Sequence, residues 1–538
     1  MRLRSISALS LCSLGLLALS ACDQAPLDSD ELDSVANPDE PGFDEVVGEA
    51  DPDEQYDEVE YTLRWDDPTY RPDVDRSSPD NILLADLPLG TNVATDAAEW
   101  IYKGQSGGDR LGITTAAGDF LSNGRDDFFL GSQFASGTGG GDGAGYMDKA
   151  KLNDSGPFNV RADSAKGKWY GSSGEKAGSV VASGGDHNND GYDDLAMGAT
   201  NHTHSTDTWK TNSGAVYLVN GFTNGSNTLP TTAITLQGEK AYDLLGAGVS
   251  FIPDRNSDGY DELLIGATGG DGGGSGAGTI YLVNGPITAD ANINDVADAT
   301  FYGENAGDGA GARAVDGGDL NGDGTNDIAV GVRGEDTRGA NAGAAYIITA
   351  TAYPADLGSA DTIIQGNAAG AAAGNHVANL GDINGDGLDD LGIGSLGHNG
   401  LGLAAVVYGE NGTITGGTLG TVADVKVFGQ QSGDQFGSFV FAGDWDADGD
   451  NDLGVSANRQ SSDDRGAVYF FIDPPSGGSY AYDADVKISG DASGDYFGSW
   501  VAVAENTDFF GNSKLLIGAS ARGSDDKGAV YVVEYAAP

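Results

Sequence analysis

The chain has 538 residues and a formal net charge of −55, with 82 acidic residues against 27 Lys and Arg. Such a polyanion would be repelled by a phosphate backbone, so the composition excludes nucleic acid as a partner. Because 39% of the residues are apolar, much of the chain can still form a core.

Residues 1–21 have the pattern of a secretory signal peptide. After a charged start, an apolar run that is too short to span a bilayer comfortably leads to LSAC at 19–22. A Cys after small residues resembles the end of a bacterial lipoprotein signal, which implies cleavage before Cys22 and attachment of lipid to its thiol. The alternative is an ordinary signal peptide with a chance Cys. The second cysteine, Cys12, lies inside the apolar run, so we expect no disulfide in the mature chain.

The segment after the signal is predicted to be a tether. Residues 22–80 are rich in Asp, Glu and Pro and poor in core-forming side chains, so they cannot bury enough apolar surface to offset ordering. We expect secretion across the inner membrane and a lipid anchor at the outer membrane or cell surface. Asp23 follows the Cys, and in some bacteria this residue retains lipoproteins at the inner membrane, so the choice of membrane stays open. The folded domain is predicted at 81–538.

Five segments of that domain share the pattern D-x-[DN]-x-D-G-x-x-[DE], and an apolar run follows each of them. Like charges at this spacing repel one another, so five repetitions in one register disfavour a merely solvated acidic surface. We predict that each loop binds Ca²⁺ through side-chain oxygens at positions 1, 3, 5 and 9 and the backbone carbonyl at position 7. The predicted ligands are Asp186, Asn188, Asp190, Tyr192 and Asp194; Asp254, Asn256, Asp258, Tyr260 and Glu262; Asp319, Asn321, Asp323, Thr325 and Asp327; Asp382, Asn384, Asp386, Leu388 and Asp390; and Asp444, Asp446, Asp448, Asp450 and Asp452.

Other cation sites fit this pattern less well. The Gly at position 6 permits a sharp turn because it lacks a Cβ. An EF-hand would need Glu at position 12 and a helix on each side, whereas position 12 here is apolar, as in Val330, and belongs to a predicted strand. Magnesium prefers fewer protein ligands and keeps its waters. The pattern therefore favours calcium loops within β-hairpins.

The loops belong to a longer repeat that occurs seven times. An aromatic or apolar residue, one variable residue and a Gly recur at spacings of 67, 67, 65, 63, 63 and 61 residues. Between them, short β-rich runs such as AVYLV (215–219) and AVYFFI (467–472) alternate with Gly- and Asp-rich turns. Four strands per unit in seven units predict an all-β, seven-bladed β-propeller. The marker glycines are Gly104, Gly171, Gly238, Gly303, Gly366, Gly429 and Gly490.

The combination of motifs resembles one known repeat family. Phe436-Gly437 opens a predicted strand, Gly198-Ala199 ends one, and a GAVY-like run begins at Gly466. Together with the acidic loops, these features are similar to the FG-GAP family, the repeat of the integrin α-subunit head, over residues 97–538. The resemblance implies four antiparallel strands per blade and calcium between the first two strands. It also implies that calcium lies on the face opposite the usual ligand face.

The first and last units depart from the calcium pattern. In the first loop (119–127), Leu121 replaces the position-3 ligand, so calcium binding by this blade stays open. In the seventh loop (506–514), Phe510 and Lys514 occupy positions 5 and 9. An ammonium there would oppose a cation, so we predict no metal in the seventh blade.

The last unit also lacks its fourth strand, because the sequence stops shortly after GAVYVVEY at 528–535. AAEWIYKG at 97–104 has the pattern of a fourth strand with no earlier unit to serve. We therefore predict that residues 97–103 pair with the strand at 529–534 and close the ring, which removes an exposed edge. We expect a monomer.

Weaker motifs are better explained by loops and turns. GGDGGGSGAG at 269–278 could suggest a phosphate cradle, but a strand follows where a helix would be needed. His202 and His204 lack a third metal ligand. Asp434 and Asp495 recur blade by blade, as turn residues do. We identify no catalytic residue.

Two functions remain from different classes. The first is a calcium-stabilised, lipid-anchored binding or adhesion module for an extracellular protein or glycan. The second is an extracellular propeller enzyme that acts on polysaccharide, as a lyase or a hydrolase. No asymmetric polar cluster stands apart from the repeat in the sequence, which favours the first. A pair of carboxylates, or a group of Arg, Lys and His, converging in the central channel would favour the second.

Overall fold

The computed structural model describes most of the predicted domain. The described residues are 91–93, 98, 100–136, 141–148, 159–161, 165–203, 210–221, 225–349, 353–445, 448–472, 474–475, 477–504, 507 and 513–535. The predicted signal peptide, Cys22 and the acidic tether lie outside them, as do Asp446 and most of the seventh loop. None of the helices in this part of the chain is long and apolar enough to span a bilayer.

The described chain is almost entirely β-structure. It starts with β1 (Thr91–Val93) and β2 (Trp100–Lys103). Blade 1 contains β3 (Thr114–Gly118), β4 (Asp127–Ser132), β5 (Ala144–Asp148) and, after β6 (Asn159–Arg161), β7 (Gly167–Tyr170). Blade 2 contains β8 (Val180–Gly185), β9 (Asp194–Ala199), β10 (Ala215–Val219) and, after β11 (Gly225–Thr228), β12 (Ile234–Gln237). Blade 3 contains β13 (Leu245–Ile252), β14 (Glu262–Ala267), β15 (Thr279–Val283) and, after β16 (Ala291–Asn292), β17 (Ala299–Tyr302).

The remaining blades follow the same plan. Blade 4 contains β18 (Arg313–Gly318), β19 (Asp327–Val332), β20 (Ala344–Ile348) and β21 (Thr362–Gln365). Blade 5 contains β22 (Ala373–Asn379), β23 (Leu391–Ser395), β24 (Leu403–Val407) and, after β25 (Gly417–Thr418), β26 (Val425–Phe428). Blade 6 contains β27 (Phe436–Gly443), β28 (Asp452–Ala457), β29 (Ala467–Phe471) and, after β30 (Gly477–Tyr480), β31 (Val486–Ser489). Blade 7 contains β32 (Phe497–Ala504), β33 (Ser513–Ala519) and β34 (Ala529–Tyr535).

Single helical turns precede several fourth strands. The α-helical turns are α1 (Leu229–Thr232), α2 (Ile293–Val296) and α3 (Leu419–Val422), and 3₁₀ turns occur at Leu357–Ser359, His398–Gly400 and Ala481–Asp483. A π-type turn covers Arg522–Asp526.

The seven sheets form a ring, which confirms the predicted propeller. The first strand of each blade contacts the first strand of the next, and β32 of blade 7 contacts β3 of blade 1. Each buried apolar cluster lies between two adjacent blades, for example Leu264 and Ile280 of blade 3 against Ile328 and Tyr346 of blade 4. The second strand of most blades is buried along its whole length, as in β19. Packing between blades therefore supplies the core.

Six of the seven blades have one strand more than the sequence predicted. In six sheets a fifth strand lies outside the fourth, and in each case it is parallel to it. This outer strand comes from the connection between strands 3 and 4 of the following blade: β11, from blade 2, pairs with β7 of blade 1. Blade 3 has a single parallel bridge, Tyr302 to Asp356, at the same place. Consecutive blades are therefore interlocked at their outer edges.

The N-terminal part of the described chain completes blade 7. β2 pairs antiparallel with β34, with Trp100 opposite Val532 and Lys103 opposite Ala529. This pairing confirms the predicted closure of the ring. β1 adds to the closure, because it pairs in parallel with β31 of blade 6 and so takes the place of the outer strand.

The marker glycines hold the third and fourth strands together. Each donates its N–H to the carbonyl of the glycine that opens the third strand, for example Gly238 to Gly214 at 2.9 Å and Gly366 to Gly343 at 2.7 Å. A Cβ on Gly238 would overlap the carbonyl oxygen of Ser213. The close approach of two backbones explains why Gly recurs in every unit.

Candidate functional site

The five predicted calcium loops connect the first and second strands of blades 2 to 6, all at one end of the propeller. In each, the carboxylate at position 1 accepts hydrogen bonds from the backbone N–H groups at positions 5 and 6. For Asp319 these are the N–H of Asp323 at 3.0 Å and of Gly324 at 2.9 Å. The position-3 amide oxygen of Asn321 accepts from Asp323 at 2.8 Å. The loop backbone therefore fixes the orientation of the Asp319 carboxylate and the Asn321 amide oxygen.

The same bonds recur around the ring. Asp186, Asp254, Asp382 and Asp444 each accept from the N–H groups at positions 5 and 6, over 2.8 to 3.1 Å. Each carboxylate oxygen has two lone pairs, so one such bond leaves capacity for a cation. Asp446, the predicted position-3 ligand of blade 6, lies outside the described residues. The described residues of its loop keep the hydrogen bonds from positions 5 and 6 to position 1.

The position-9 carboxylates lie at the start of the second strand and are buried. Asp194, Glu262, Asp327, Asp390 and Asp452 are each at most 3% exposed. Burial, with a smaller contribution from Asp323, raises the pKa of Asp327 to about 7. Burial likewise raises the pKa of Asp390 to about 6 and the pKa of Asp194 above its ordinary value. A buried carboxylate beside other carboxylates needs a positive charge to stay ionised.

Blade 3 meets the geometric requirement for a metal most fully. Carboxylate oxygens of Asp254, Asp258 and Glu262 lie within 4.8 Å of one another. Oε2 of Glu262 accepts the N–H of Arg255 at 2.8 Å, whereas Oε1 is buried and has no hydrogen-bond partner among the described residues. Burial, and to a lesser extent Asp254 and Asp258, raises the pKa of Glu262 to about 7. These residues fit a divalent cation. Among the described residues, this is the one loop whose carboxylates are gathered so closely.

Blades 1 and 7 differ as their sequences suggest. Asp119 accepts from the N–H groups of Asn123 and Gly124, both at 2.7 Å, so the turn of blade 1 survives with Leu121 at position 3. In blade 7, Lys514 is buried and forms an ion pair with Glu534. Its ammonium also lies 4.9 Å from the ring centre of Trp100. At position 9, blade 7 therefore has the ammonium of a lysine where blades 2 to 6 have a carboxylate.

The first strands line the central channel, and one register position breaks the seven-fold repeat. In blades 1 to 6 this position is the first-strand residue that pairs with the penultimate residue of the second strand. In blade 7 it is Trp500, which directly precedes the paired residue Val501. Blades 1 to 3 place small or aliphatic residues there, whereas blades 4 to 7 place two basic and two aromatic ones. In blade order the residues are Thr114, Val180, Gly248, Arg313, His376, Phe439 and Trp500.

The four large side chains of this ring contact one another. The guanidinium of Arg313 lies 5.1 Å from the ring centre of Trp500 and 5.7 Å from that of Phe439. Ring centres of Phe439 and Trp500 are 4.8 Å apart, and those of His376 and Phe439 are 4.2 Å apart. Side chains from four blades therefore meet in the channel. We call these four residues the channel cluster.

The sequence repeat led us to expect no asymmetric polar cluster, and the channel cluster shows that this expectation was wrong. The signal was present in the sequence: Arg313, His376, Phe439 and Trp500 are each the tenth residue after a marker glycine. Aligning the seven units on those glycines would have shown that this column changes from small to basic and aromatic.

Comparison with known proteins agrees with the repeat pattern. The FG-GAP repeat family matches residues 177–219 and 311–348. These two stretches run from the opening of blades 2 and 4 to their third strands and include the acidic loops. The protein is thus a seven-bladed propeller that contains FG-GAP repeats. A curated relative, integrin alpha-5 from Xenopus laevis, is 27% identical over 234 residues. That match covers 42% of this chain and 20% of the relative.

A crystal structure described as BBS1N in complex with ARL6DN, soaked with lead, aligns with a TM-score of 0.42 and 11% sequence identity. The alignment covers 82% of this chain and 96% of that chain.

The propeller also uses position 8 of its acidic loops, for which we predicted no role. The Asp193 N–H donates to the carbonyl of Asp119 in the preceding blade at 3.3 Å, and the Asp119 N–H donates to the Asp193 carboxylate at 2.7 Å. Asp389 makes the same reciprocal pair with Asp319, at 3.3 and 2.8 Å. An Asp at position 8 therefore connects neighbouring loops, whereas the side chain of Asn326 bonds to Asp316 of its own blade. All five loops have Asp or Asn there, which was a readable signal.

At the opposite end of the propeller, a pocket of about 470 Å³ opens among blades 3, 4 and 5. Its polar side chains are Thr268, Asp308, Arg313, Arg333, Asn341 and Asn375. The carboxylate of Asp308 accepts the Asn305 N–H at 3.0 Å, and burial raises its pKa. Arg313 thus belongs both to the channel cluster and to this pocket wall.

The weaker sequence motifs fall into structural roles. His202 is buried, and its Nδ1 lies 3.0 Å from Oε1 of Glu175, whose Oε2 accepts the Tyr217 hydroxyl at 2.9 Å. His204 lies outside the described residues. Asp495 accepts the Ala492 N–H at 3.0 Å, as expected of a turn residue.

Proposed function

We propose that this protein is a calcium-stabilised binding or adhesion module, anchored by lipid on Cys22 and acting at the outer membrane or cell surface on an extracellular protein or glycan. The observation that carries the proposal is the buried, unpartnered Oε1 of Glu262 beside Asp254 and Asp258. It lies in a loop design that four other blades repeat. The FG-GAP repeats and the similarity to an integrin alpha subunit support a binding function.

Calcium would be held by the side chains at positions 1, 3, 5 and 9 and the carbonyl at position 7 of each loop. Bound calcium supplies positive charge to buried carboxylates and joins the two strands of a hairpin tip. It acts on ligand binding indirectly, because the loops lie at the end opposite the pocket. The position-8 hydrogen bonds of Asp193 and Asp389 connect their loops to the loops of the preceding blades.

The test uses the full chain with Cys22→Ala, which stays soluble under this proposal, on arrays of glycans and surface proteins. We expect binding to a restricted group of glycans or proteins, and weaker binding after calcium is chelated. Binding to none of the probes, in calcium and in chelator alike, would refute a binding module.

The enzyme alternative gains support from one observation, the basic pair Arg313 and His376 in the channel cluster. Three features favour binding over catalysis. His376 does not line the pocket, its Nδ1 accepts the Val440 N–H at 3.4 Å, and burial followed by Arg313 lowers its pKa well below the ordinary value. Among the side chains that line the pocket, Asp308 is the one acid–base group besides the arginines.

The alternative has its own measurement. The protein is incubated with a uronate-containing polysaccharide, and chain length is followed by mass spectrometry. Chain cleavage that disappears in Arg313→Gln would establish the enzyme; unchanged chain length is expected for the binding module.

A further inference from the structure

Arg313 is a cation without an ionic partner among the described residues of a strongly acidic protein. Within the described residues, its guanidinium makes one hydrogen bond, from Nη1 to the carbonyl of Ala312 at 2.9 Å, and no ion pair. Its Nε is buried without a partner. Buried polar groups are normally satisfied, and an arginine left short of acceptors at a pocket wall needs an explanation.

A second arginine faces the same space. Arg333 is exposed at the pocket wall and forms no ion pair within the described chain. Burial, followed by the charge of Arg333, lowers the pKa of Arg313 to about 10. Two guanidinium groups that repel each other are stabilised together by one shared anion. The whole chain carries a net charge of −55, so two arginines without an ion pair among the described residues are unusual.

The aromatic members of the channel cluster fix the position of Arg313. Trp500 and Phe439 both lie within cation–π distance of its guanidinium. They come from blades 7 and 6, on other sides of the channel, so the arginine is held by contacts that span the ring. A guanidinium that is already positioned loses little freedom when it binds, and its planar fork matches a carboxylate.

The rest of the pocket indicates what carries the carboxylate. Thr268, Asn341 and Asn375 offer neutral donors and acceptors, and the other lining residues are glycines and alanines, apart from Asp308. The volume of about 470 Å³ lies in the ordinary range for small-molecule sites. A lining of amides, a hydroxyl and exposed backbone suits the hydroxyl groups of a sugar ring better than an apolar ligand.

We propose that this pocket binds a uronate, that is, a sugar whose carboxylate pairs with Arg313 and Arg333 and whose hydroxyl groups meet Thr268, Asn341 and Asn375. This inference rests on the proposed binding function and specifies its ligand as an acidic glycan. The carboxylate of a protein loop is the competing source of the same charge, and the experiment separates the two.

The experiment is titration calorimetry on full-length protein carrying Cys22→Ala, in calcium. The probes are D-glucuronate and D-galacturonate, their neutral counterparts D-glucose and D-galactose, and N-acetyl-aspartate amide as a peptide carboxylate. We expect one uronate to bind at least about ten-fold more tightly than its neutral counterpart, because a charge-assisted pair is lost. We also expect binding to weaken as salt is raised.

Three variants locate the site. Arg313→Gln and Arg333→Gln should each weaken uronate binding at least about ten-fold. Arg338→Gln is the matched control. This exposed arginine lies in the same loop as Arg333, bonds to Gln365 at 3.0 Å and is not among the residues that line the pocket. Its uronate affinity should be unchanged. Because Arg333 is exposed, its variant tests the site even if Arg313→Gln is poorly folded, which its melting temperature would show.

Several results would overturn the inference. Equal affinity for uronate and neutral sugar, no uronate binding, or unchanged binding in Arg333→Gln would each do so. Binding of the aspartate amide without the uronates would assign the pocket to a protein loop instead. Array binding that persists in Arg313→Gln and Arg333→Gln would leave the proposed binding function standing and refute this pocket alone.

Discussion

Substituting Glu262 by Gln should stabilise the calcium-free protein. The pKa of Glu262 rises from an ordinary 4.5 to about 7, because the carboxylate is buried beside Asp254 and Asp258. At 1.36 kcal/mol per unit, ionising this group in the fold costs about 3 kcal/mol without a cation. Gln keeps the shape of the side chain and removes the charge. We therefore expect Glu262→Gln to raise the free energy of unfolding by about 1–3 kcal/mol in chelator at pH 8.

The sign of the pH dependence follows from the raised pKa. Between about pH 4.5 and 7 the folded protein holds a proton that the unfolded chain has released, so the calcium-free wild type gains stability as pH falls through 7. The advantage of Glu262→Gln should thus shrink on acidification to pH 5. Added calcium should shrink it too, because the wild type then gains a bound ion that the variant holds poorly.

Scanning calorimetry measures these differences. A domain of this size shifts its melting temperature by about 1 °C per kcal/mol, since unfolding entropy is ~2.1 cal/mol/K per residue. Glu239→Gln, a partly exposed glutamate at the opposite end of the propeller, is the control and should change little in chelator or in calcium. A Glu262→Gln variant that melts at or below the wild type in chelator at pH 8 would refute the reasoning.

Further expectations concern the metal, the ring and the anchor. Calorimetric titration of chelated protein should count near five calcium ions. At a Kd of about 10⁻⁴–10⁻³ M and about 1 mM calcium, these ions together add ~2–7 kcal/mol to the free energy of unfolding. A count of zero or one would exclude calcium loops. Deleting residues 81–104 should give an unstable, associating protein by gel filtration, because β34 loses its partner; a monomer with unchanged melting would contradict the closure. Lys514→Met should lower the free energy of unfolding by about 3–5 kcal/mol in a denaturant titration, because it removes the ammonium that pairs with Glu534. Adding Glu534→Leu should restore most of the lost stability. An unaffected single variant would show that the ion pair is not needed for stability. Cys22→Ala should move the protein from the membrane fraction to the soluble fraction, and continued sedimentation with membranes would exclude a lipid anchor.

Repetition made the fold and the candidate loops predictable. The acidic pattern, the marker glycines and the GAVY runs each recur on fixed elements of a blade, so seven weak signals supported one architecture. The closure by residues 100–103 was predictable for the same reason, since a fourth strand stood without its blade.

The outer strands were not predictable from local sequence. β11 is four residues long and largely exposed, and it pairs with β7, more than 50 residues earlier in the chain. The channel cluster was missed for a different reason. Its members occupy one column of the repeat but belong to four blades, and only the closed ring brings Arg313 next to Trp500.

The outer strands also affect how the propeller unfolds. Because each blade lends a short strand to the edge of the blade before it, unfolding one blade uncovers the fourth strand of its predecessor. An array of repeats whose neighbours merely stack can fray from one end. Here β1 and β6 carry the exchange across the junction of the ring, so the described propeller has no terminal blade from which fraying could begin. Local opening of a blade should therefore spread to its neighbours, and we expect the ring to unfold as a unit.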